Sequence, residues 1–127
     1  LVDIQKQPGA FGILGASMGG LMALYTGLRL PHIFGKVISQ SGAFGFELPG
    51  TAPLIYELLR SQERLPLSIW MDVGRYEWLL DLNRAMRAAL DAKGYAPIYR
   101  EYNGGHNYTL WRDEVVLALE AQFGAQA

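Results

Sequence analysis

The chain has 127 residues, with 11 Lys and Arg against 12 Asp and Glu, so its formal net charge at pH 7 is −1. This length suffices for one domain around one core, so we expect a single domain over residues 1–127. Half of the residues are hydrophobic and the charges nearly balance, which excludes a disordered polyampholyte and an electrostatic nucleic-acid binder. The absence of cysteine excludes disulfide scaffolds, thiolate metal sites and cysteine nucleophiles.

Membrane and targeting signals are not visible in the sequence. No apolar run approaches the roughly 20 residues that a helix needs to cross a bilayer. No basic start is followed by an apolar segment and a cleavage site. We therefore expect no membrane partner, and the compartment is left open, with the cytoplasm favoured. The chain opens on Leu1 rather than Met, and we expect it to be cut from something longer.

The first half of the chain predicts a strand, a helix and a second strand. Phe11–Leu14 is a short apolar run that follows the Pro8-Gly9 turn signal and stops at a glycine, which is typical of a buried strand. From Met18 to Leu30 the apolar residues recur at spacings of three and four, which predicts a helix. Lys36–Ser39 is a second strand candidate, and the Gly- and Ser-rich stretch 40–51 predicts a loop.

The second half repeats this alternation. Its predicted elements are, in chain order, a helix over Ala52–Arg60, a strand over Leu67–Val73, a helix over Leu79–Lys93 that Gly94 ends, a strand over Pro97–Tyr102 and a helix over Tyr108–Phe123. Strands that alternate with helices predict the α/β class, with a mostly parallel sheet of about four strands. The loops after the strands are then the places to look for function.

A serine motif stands between the first predicted strand and helix. The run Gly15-Ala16-Ser17-Met18-Gly19 matches G-x-S-x-G, the nucleophile elbow, in the context that the motif requires. Small residues are expected at both glycine positions because the serine occupies a strained turn with positive φ. The N-terminus of the following helix favours an oxyanion, with the Met18 N–H as donor. The alternative is a glycine-rich turn that only packs the helix closely or binds phosphate.

The general base follows from elimination, because the chain has only two histidines. His32 lies about 15 residues beyond Ser17, past the far end of the helix, which at about 1.5 Å per residue is roughly 22 Å away. His106 follows the fourth strand and stands downstream of the serine, as the histidine of an α/β-hydrolase does. We predict His106 as the base, although a lone loop histidine is more often a solvated bystander.

The acid that orients this histidine is predicted to follow the third strand. Glu77 lies on the loop after Val73 and is our choice. Asp81, one turn further on, and Asp72, inside the strand, remain alternatives. A carboxylate near a helix start is also an ordinary first-turn residue.

Taken together, these segments resemble a known family, the enterochelin esterase-like proteins of the esterase D group of α/β-hydrolases, over its C-terminal half. The matching segments are the elbow at 15–21, Phe34 with the Ser-Gln-Ser-Gly-Ala-Phe run at 39–44, the acid loop at 73–77 ahead of the helix over 83–94, and the histidine loop at 99–108 with Trp111. The resemblance implies an ester-cleaving serine hydrolase of the siderophore or feruloyl type. It implies an acyl-enzyme on Ser17, the roles given above for Glu77 and His106, a small-molecule ester substrate, and neither cofactor nor metal.

The sequence departs from the family in two ways. Asn107 stands where an acidic residue often follows the histidine, which changes little. The family also has further strands before the elbow, and the loop after one of them donates the second oxyanion N–H; without one such donor, hydrolases lose about 10²- to 10³-fold in rate. The chain is therefore predicted to be a partial α/β-hydrolase domain, and a catalytically silent module and an acyltransferase are the alternatives to an esterase.

An exposed sheet edge is a further consequence of the missing strands. Unpaired N–H and C=O groups on the first strand, and apolar faces left uncovered, favour association. We therefore expect a homo-oligomer that forms through this edge or its flanking helices.

Aromatic residues near the predicted site are candidates for substrate contacts. We predict Trp78, Tyr108 and Phe44 as substrate-binding residues. Trp78, Tyr108 and Trp111 are candidates to wall a pocket for an aromatic or catechol-bearing acyl group. Phe44 ends the 41–44 run after the second strand, which is well placed to touch substrate but gives no clue to the ligand's chemistry. Packing is an equal alternative for Trp78 and is favoured for Trp111. Trp70, within a strand, is predicted to be core.

Overall fold

The computed structural model describes residues 2–46 and 53–124. Its elements are, in chain order, β1 (Phe11–Ala16), α1 (Met18–Arg29), β2 (Phe34–Gln40), α2 (Leu54–Ser61), β3 (Ser68–Gly74), α3 (Leu80–Ala92), β4 (Ile98–Tyr102) and α4 (Tyr108–Phe123). The strands form one four-stranded sheet in the order β1-β2-β3-β4, and every neighbouring pair is parallel. This confirms the predicted α/β class, the parallel sheet and the strand number.

The sheet separates two apolar clusters, because neighbouring residues of a strand point to opposite faces. Val37 and Ile69 belong to the larger cluster, which also holds the buried faces of α1, α2 and α3. Ile38 and Trp70 belong to the smaller cluster with Ala118 of α4. The helices therefore cover both sides of the sheet, and the prediction that Trp70 is a core residue is confirmed.

Strand β1 runs further toward its carboxyl end than the sequence predicted. We expected the first strand to stop at Gly15, but Gly15 pairs with Ser39 and Ala16 pairs with Gln40. The strand pairing thus continues up to the residue before Ser17. Part of the predicted helix over Ala52–Arg60 and the end of the 40–51 loop lie outside the described residues, and α2 begins at Leu54.

Local signals define two helix ends next to the loops that matter below. Gly94 follows α3 with φ 88°, and the Tyr95 N–H donates to the Leu90 carbonyl at 3.0 Å, so the predicted glycine end is confirmed as a Schellman motif. Asn107 is the N-cap of α4, where its side chain accepts from the Leu110 N–H at 3.2 Å. Asn is among the best residues for this position, so the departure at Asn107 preserves the helix start.

Strand β1 lies at one edge of the sheet and pairs with β2 alone among the described residues. Apolar side chains along it and on the start of α1 are exposed, namely Phe11 by 46%, Leu14 by 47%, Met18 by 42% and Met22 by 51%. The predicted homo-oligomer through this edge stays a prediction. In the described part of the chain, none of the helices combines the length and apolar character needed to cross a bilayer.

Helix α1 approaches the sheet closely at a glycine that the serine motif does not contain. A Cβ on Gly20 would lie 2.9 Å from Ser39 Oγ and 3.0 Å from both the Gln40 carbonyl oxygen and the Gly42 Cα. A Cβ on Gly15 would overlap the backbone of Gly19, whereas a Cβ on Gly19 would meet nothing within 4 Å. These contacts therefore leave no room for a Cβ at positions 15 and 20, whereas position 19 has room for one.

Because of this difference in space, alanine is expected to affect stability differently at the adjacent positions 19 and 20. We expect Gly20→Ala to lower the free energy of unfolding by about 1–3 kcal/mol, because the added methyl group overpacks the α1–β2 contact. Gly19→Ala is the matched control and should be neutral or stabilising by up to about 1 kcal/mol, since alanine favours the helix. Urea unfolding followed by circular dichroism measures both. Equal stability of the two variants would contradict the assigned contact.

Candidate active site

Ser17 occupies a strained turn between β1 and α1. Its φ is 58° and its ψ is −119°, which confirms the predicted positive φ at the elbow. The Ser17 N–H donates to the Gln40 carbonyl at 2.9 Å, and the Ser17 carbonyl accepts from the Ala43 N–H at 3.0 Å. These bonds fix the backbone from the β2 side. Its side chain makes no cap hydrogen bond to α1, so the hydroxyl is available to other partners.

Three side chains from separate loops form one hydrogen-bonded chain. His106 Nε2 lies 3.0 Å from Ser17 Oγ, and His106 Nδ1 lies 2.7 Å from Glu77 Oε2. A carboxylate only accepts, so Nδ1 carries the proton and Nε2 accepts from the serine hydroxyl. The Glu77 side chain is fully buried, and that of His106 is 16% exposed. The structure thus brings Ser17, Glu77 and His106 together at the carboxyl ends of the strands.

Glu77 is fixed by a tight turn after β3. Its Oε1 accepts from the Gly74 N–H at 2.9 Å and from Ser41 Oγ at 2.6 Å, which leaves Oε2 to the histidine. The acid and histidine loops are also joined by their backbones, because the Tyr76 N–H donates to the Gly104 carbonyl at 3.0 Å. A Cβ on Gly74 would overlap the Gly104 backbone, so this close approach requires glycine at position 74.

The two alternative acids lie elsewhere. The Asp81 side chain is 93% exposed and lies 3.6 Å from Arg84. Asp72 is fully buried in β3 and accepts from Trp70 Nε1 at 2.8 Å and from Gln40 Nε2 at 3.3 Å. Neither hydrogen-bonds to His106 among the described residues, so the geometry favours Glu77.

Burial gives Asp72 an unusual acidity. Its removal from water raises the pKa of this carboxyl from 3.8 to about 6, although the hydrogen bonds from Trp70 and Gln40 oppose the change. Its Oδ1 has no hydrogen-bond partner among the described residues. This carboxyl is a structural group of the sheet rather than part of the serine–histidine contact.

Met18 is the first residue of α1. Its N–H therefore has no acceptor within the helix, and the positive end of the helix dipole lies next to Ser17. The structure agrees with the predicted place for an oxyanion donor. The second histidine, His32, lies in the turn between α1 and β2, at the opposite end of the sheet from Ser17, where its backbone carbonyl accepts from the Gly9 N–H at 2.8 Å.

Two tryptophans contact the histidine ring. Trp78 packs against His106 with ring centroids 4.6 Å apart and an interplanar angle of 47°, yet it is 73% exposed. The Trp111 ring contacts the His106 ring edge-on, with ring centroids 4.7 Å apart and an interplanar angle of 90°. Tyr108, the first residue of α4, is 79% exposed. Exposed aromatic surface is therefore present beside His106.

Phe44 does not share this position. It is fully buried, belongs to the larger apolar cluster and packs so closely on Gly42 that a Cβ there would overlap its ring. The expectation that Phe44 contacts substrate is therefore corrected, because its side chain offers no surface to a ligand. Among residues 2–46 and 53–124, no three His, Asp or Glu side chains come together as a metal-binding group.

The sequence did not predict the contacts that Ser41 makes with Trp111 and with Glu77. Trp111 Nε1 donates to Ser41 Oγ at 3.0 Å, and Ser41 has a φ of 47°. A positive φ at a residue other than glycine leaves no signal in a single sequence. The only available signal was the position of Ser41 directly after a strand.

Known structures share this arrangement of strands and helices. An enterobactin esterase from Shigella flexneri, crystallised in the presence of 2,3-di-hydroxy-N-benzoyl-serine, superposes with a TM-score of 0.82 and 30% identity over 94% of this chain and 32% of that chain. An S-formylglutathione hydrolase from Staphylococcus aureus gives a TM-score of 0.82 at 18% identity, over 96% of this chain and 57% of that one. The fold is thus that of the α/β-hydrolases.

The family follows from the sequence comparison. Residues 3–121 match the model of the Esterase family, which is described as "Putative esterase". The iron(III) enterobactin esterase of Dickeya dadantii is 34% identical over 130 residues, which cover 91% of this chain and 30% of that protein. The chain belongs to this esterase family, and the resemblance to enterochelin esterase-like proteins is confirmed. It spans about a third of the length of these enterobactin esterases.

The buried carboxyl of Asp72 predicts a pH dependence of stability. Its pKa is higher in the fold than in the unfolded chain, so its contribution is fully present below about pH 4 and is lost as the pH rises through about 6. Asp72→Asn replaces the titratable carboxyl by an amide and therefore removes this loss of stability at higher pH. We expect the stability of the variant relative to the parent to rise by about 2 kcal/mol between pH 4 and pH 7.

Thermal and urea unfolding at matched pH values measure this difference. Asp81→Asn is the exposed control, because its side chain has no burial cost. A stability difference between Asp72→Asn and the parent that stays constant over this pH range would contradict the assignment.

Proposed function

We propose that this chain carries the catalytic centre of a serine hydrolase that cleaves carboxylic esters through an acyl-enzyme. The continuous hydrogen-bonded chain from Glu77 through His106 to Ser17 supports this proposal most strongly. Its distances of 2.7 and 3.0 Å lie within the range for proton transfer between a positioned base and a nucleophile.

In the acylation step, Ser17 Oγ attacks the carbonyl carbon of the ester while its proton passes to His106 Nε2. Glu77 accepts from Nδ1 and stabilises the imidazolium that forms. The negative charge that develops on the carbonyl oxygen points toward the free N–H of Met18 at the start of α1. When the tetrahedral intermediate collapses, Nε2 gives its proton to the leaving alkoxide, and the acyl group remains on Ser17.

Deacylation reverses these roles with water. His106 Nε2 takes a proton from a water molecule, whose oxygen attacks the acyl carbonyl and forms a second tetrahedral intermediate. Nε2 then returns the proton to Ser17 Oγ as the carboxylic acid leaves. No metal or cofactor takes part in either step as proposed.

Aromatic acyl groups are the substrate class that this site favours. Trp78 is largely exposed next to His106, and Tyr108 is exposed two residues further along the chain. Flat aromatic surfaces beside the reacting atoms stabilise an aromatic ring by stacking. The dihydroxybenzoyl compound present with the Shigella esterase supports the same acyl class here.

A catalytically silent module is the second candidate function. Its support is the single oxyanion N–H, that of Met18, which the described elbow provides. Loss of one oxyanion donor costs about 10²- to 10³-fold in rate. Because a slow enzyme still reacts once with a covalent probe, the two candidates are separable by chemistry at Ser17.

Labelling and turnover test the role of Ser17. We expect a fluorophosphonate to add once to the chain, and Ser17→Ala to abolish the added mass, because the nucleophilic oxygen is gone. Hydrolysis of p-nitrophenyl acetate should exceed the uncatalysed rate and fall to it in Ser17→Ala. Ser68→Ala, at an exposed position on the opposite end of β3, is the control. Labelling and hydrolysis that do not depend on Ser17 would overturn the proposal.

Trp78 tests the substrate class. We expect Trp78→Ala to raise KM for a benzoyl ester about 2- to 10-fold, the range of one aromatic contact, and to leave KM for an acetyl ester within about twofold. Tyr76→Ala is a suitable control, because Tyr76 is equally exposed at 75% and shows no ring contact with His106 in the described structure. An equal change for both esters would show that Trp78 acts through His106 and not through the acyl group.

A further inference from the structure

Beneath the serine–histidine contact lies a second layer of hydrogen bonds with a fixed direction. We propose that Ser41 and Trp111 are positioning residues, which orient the Glu77 carboxylate and the His106 ring for catalysis. The inference rests on the proposed hydrolase function. In the proposed mechanism, neither side chain touches a reacting atom. The juxtaposition that carries it is Trp111 Nε1 at 3.0 Å from Ser41 Oγ, which in turn lies 2.6 Å from Glu77 Oε1.

The direction of these two hydrogen bonds follows from the donor and acceptor atoms of each group. An indole N–H only donates, so Ser41 Oγ accepts from Trp111. A hydroxyl has one hydrogen, and that hydrogen then points to Glu77 Oε1. The Ser41 hydroxyl is therefore held from two sides, because it accepts from the Trp111 indole and donates to the Glu77 carboxylate.

This donor divides the two oxygens of Glu77 between two tasks. Oε1 accepts from Ser41 and from the Gly74 N–H, while Oε2 accepts from His106. A buried carboxylate that loses one of its donors turns toward those that remain. Without the Ser41 hydroxyl, the Glu77 carboxylate keeps only the donors Gly74 and His106 among the described residues. The orientation of the carboxylate plane, which places Oε2 opposite the imidazole, is then less well fixed.

Trp111 also acts on the histidine directly. Its indole meets the His106 ring edge-on at 4.7 Å, and Trp78 contacts the same ring at 4.6 Å. One side chain thus fixes the imidazole by packing and the carboxylate through Ser41. Both effects serve the same alignment, from Glu77 Oε2 to Ser17 Oγ.

Both positioning residues are themselves held by buried groups. Ser41 is fully buried, has a strained φ of 47°, and donates its N–H to the Asp72 carbonyl at 2.7 Å. The Trp111 carbonyl accepts from Gln40 Nε2 at 3.0 Å. Strain at a residue other than glycine persists only where the surroundings determine it, and such strain clusters at functional sites.

The test separates the hydroxyl of Ser41 from its backbone. Ser41→Ala removes the hydroxyl and keeps the strain, whereas Ser41→Gly removes the hydroxyl and relieves the strain. Trp111→Phe keeps a ring against His106 and removes the indole N–H. We expect each variant to lower kcat for p-nitrophenyl acetate about 10- to 100-fold with KM within about twofold, the effect of a misaligned catalytic group.

Combining the changes tests the order in which the hydrogen-bonded groups act on Glu77. Because Trp111 acts on Glu77 through Ser41, the double variant Ser41→Ala/Trp111→Phe should lose less activity than the product of the single losses. Ser61→Ala, at the end of α2, is the control with a serine that is remote from the site. Thermal unfolding establishes that each variant is folded at the assay temperature.

A readout that needs no turnover separates this inference from the proposed function. The proton resonance of His106 Nδ1–H reports the hydrogen bond to Glu77, and we expect it to move or broaden in Ser41→Ala and Ser41→Gly. If the parent chain shows no Ser17-dependent activity but the resonance moves, the function fails and the positioning role stands. An unchanged resonance with unchanged kcat would overturn the positioning role, as would a loss confined to Ser41→Ala, which would assign the effect to backbone strain.

Discussion

The buried carboxylate of Glu77 is the group on which the rest of the site depends. Burying a charged oxygen is costly unless hydrogen-bond donors surround it, and here the donors are Ser41, the Gly74 N–H and His106. Gly74 is the last residue of β3, and Ser41 and His106 stand on the loops that follow β2 and β4. The carboxylate therefore requires three neighbouring strands to end at one level, and the parallel register of the sheet provides that level.

Most of the fold was predictable because its signals are local. Hydrophobic spacing predicted all four helices, and Gly94 and Pro8-Gly9 predicted chain turns, since such residues act within a few positions of themselves. The ends of β1 were not predictable, because Gly15 and Ala16 extend the strand only through pairing with β2. The close approach at Gly20 likewise depends on where α1 meets the β2 loop, which no local pattern encodes.

Some residues of the site were likewise predictable from the sequence, and others were not. Ser17 and His106 follow from a motif in its strand–helix context and from the order of residues along the chain. The choice among Asp72, Glu77 and Asp81 stayed open in the sequence, because all three lie within ten positions. The structure separates Asp81 by its exposure and Asp72 by its hydrogen-bond partners, which are Trp70 and Gln40. Phe44 was misassigned for the same reason: an aromatic residue after a strand is equally suited to a pocket and to a core.

The geometry separates two parts of the proposed esterase site. Among the described residues, the hydrogen bonds that align Ser17, His106 and Glu77 come from the ends of β2, β3 and β4 and from the start of α4. The enclosure of the site is different, because the side toward β1 exposes Leu14, Met18 and Met22. In the proposed mechanism, proton transfer therefore depends on contacts within these elements, whereas exclusion of water and a second oxyanion donor depend on what covers the β1 side.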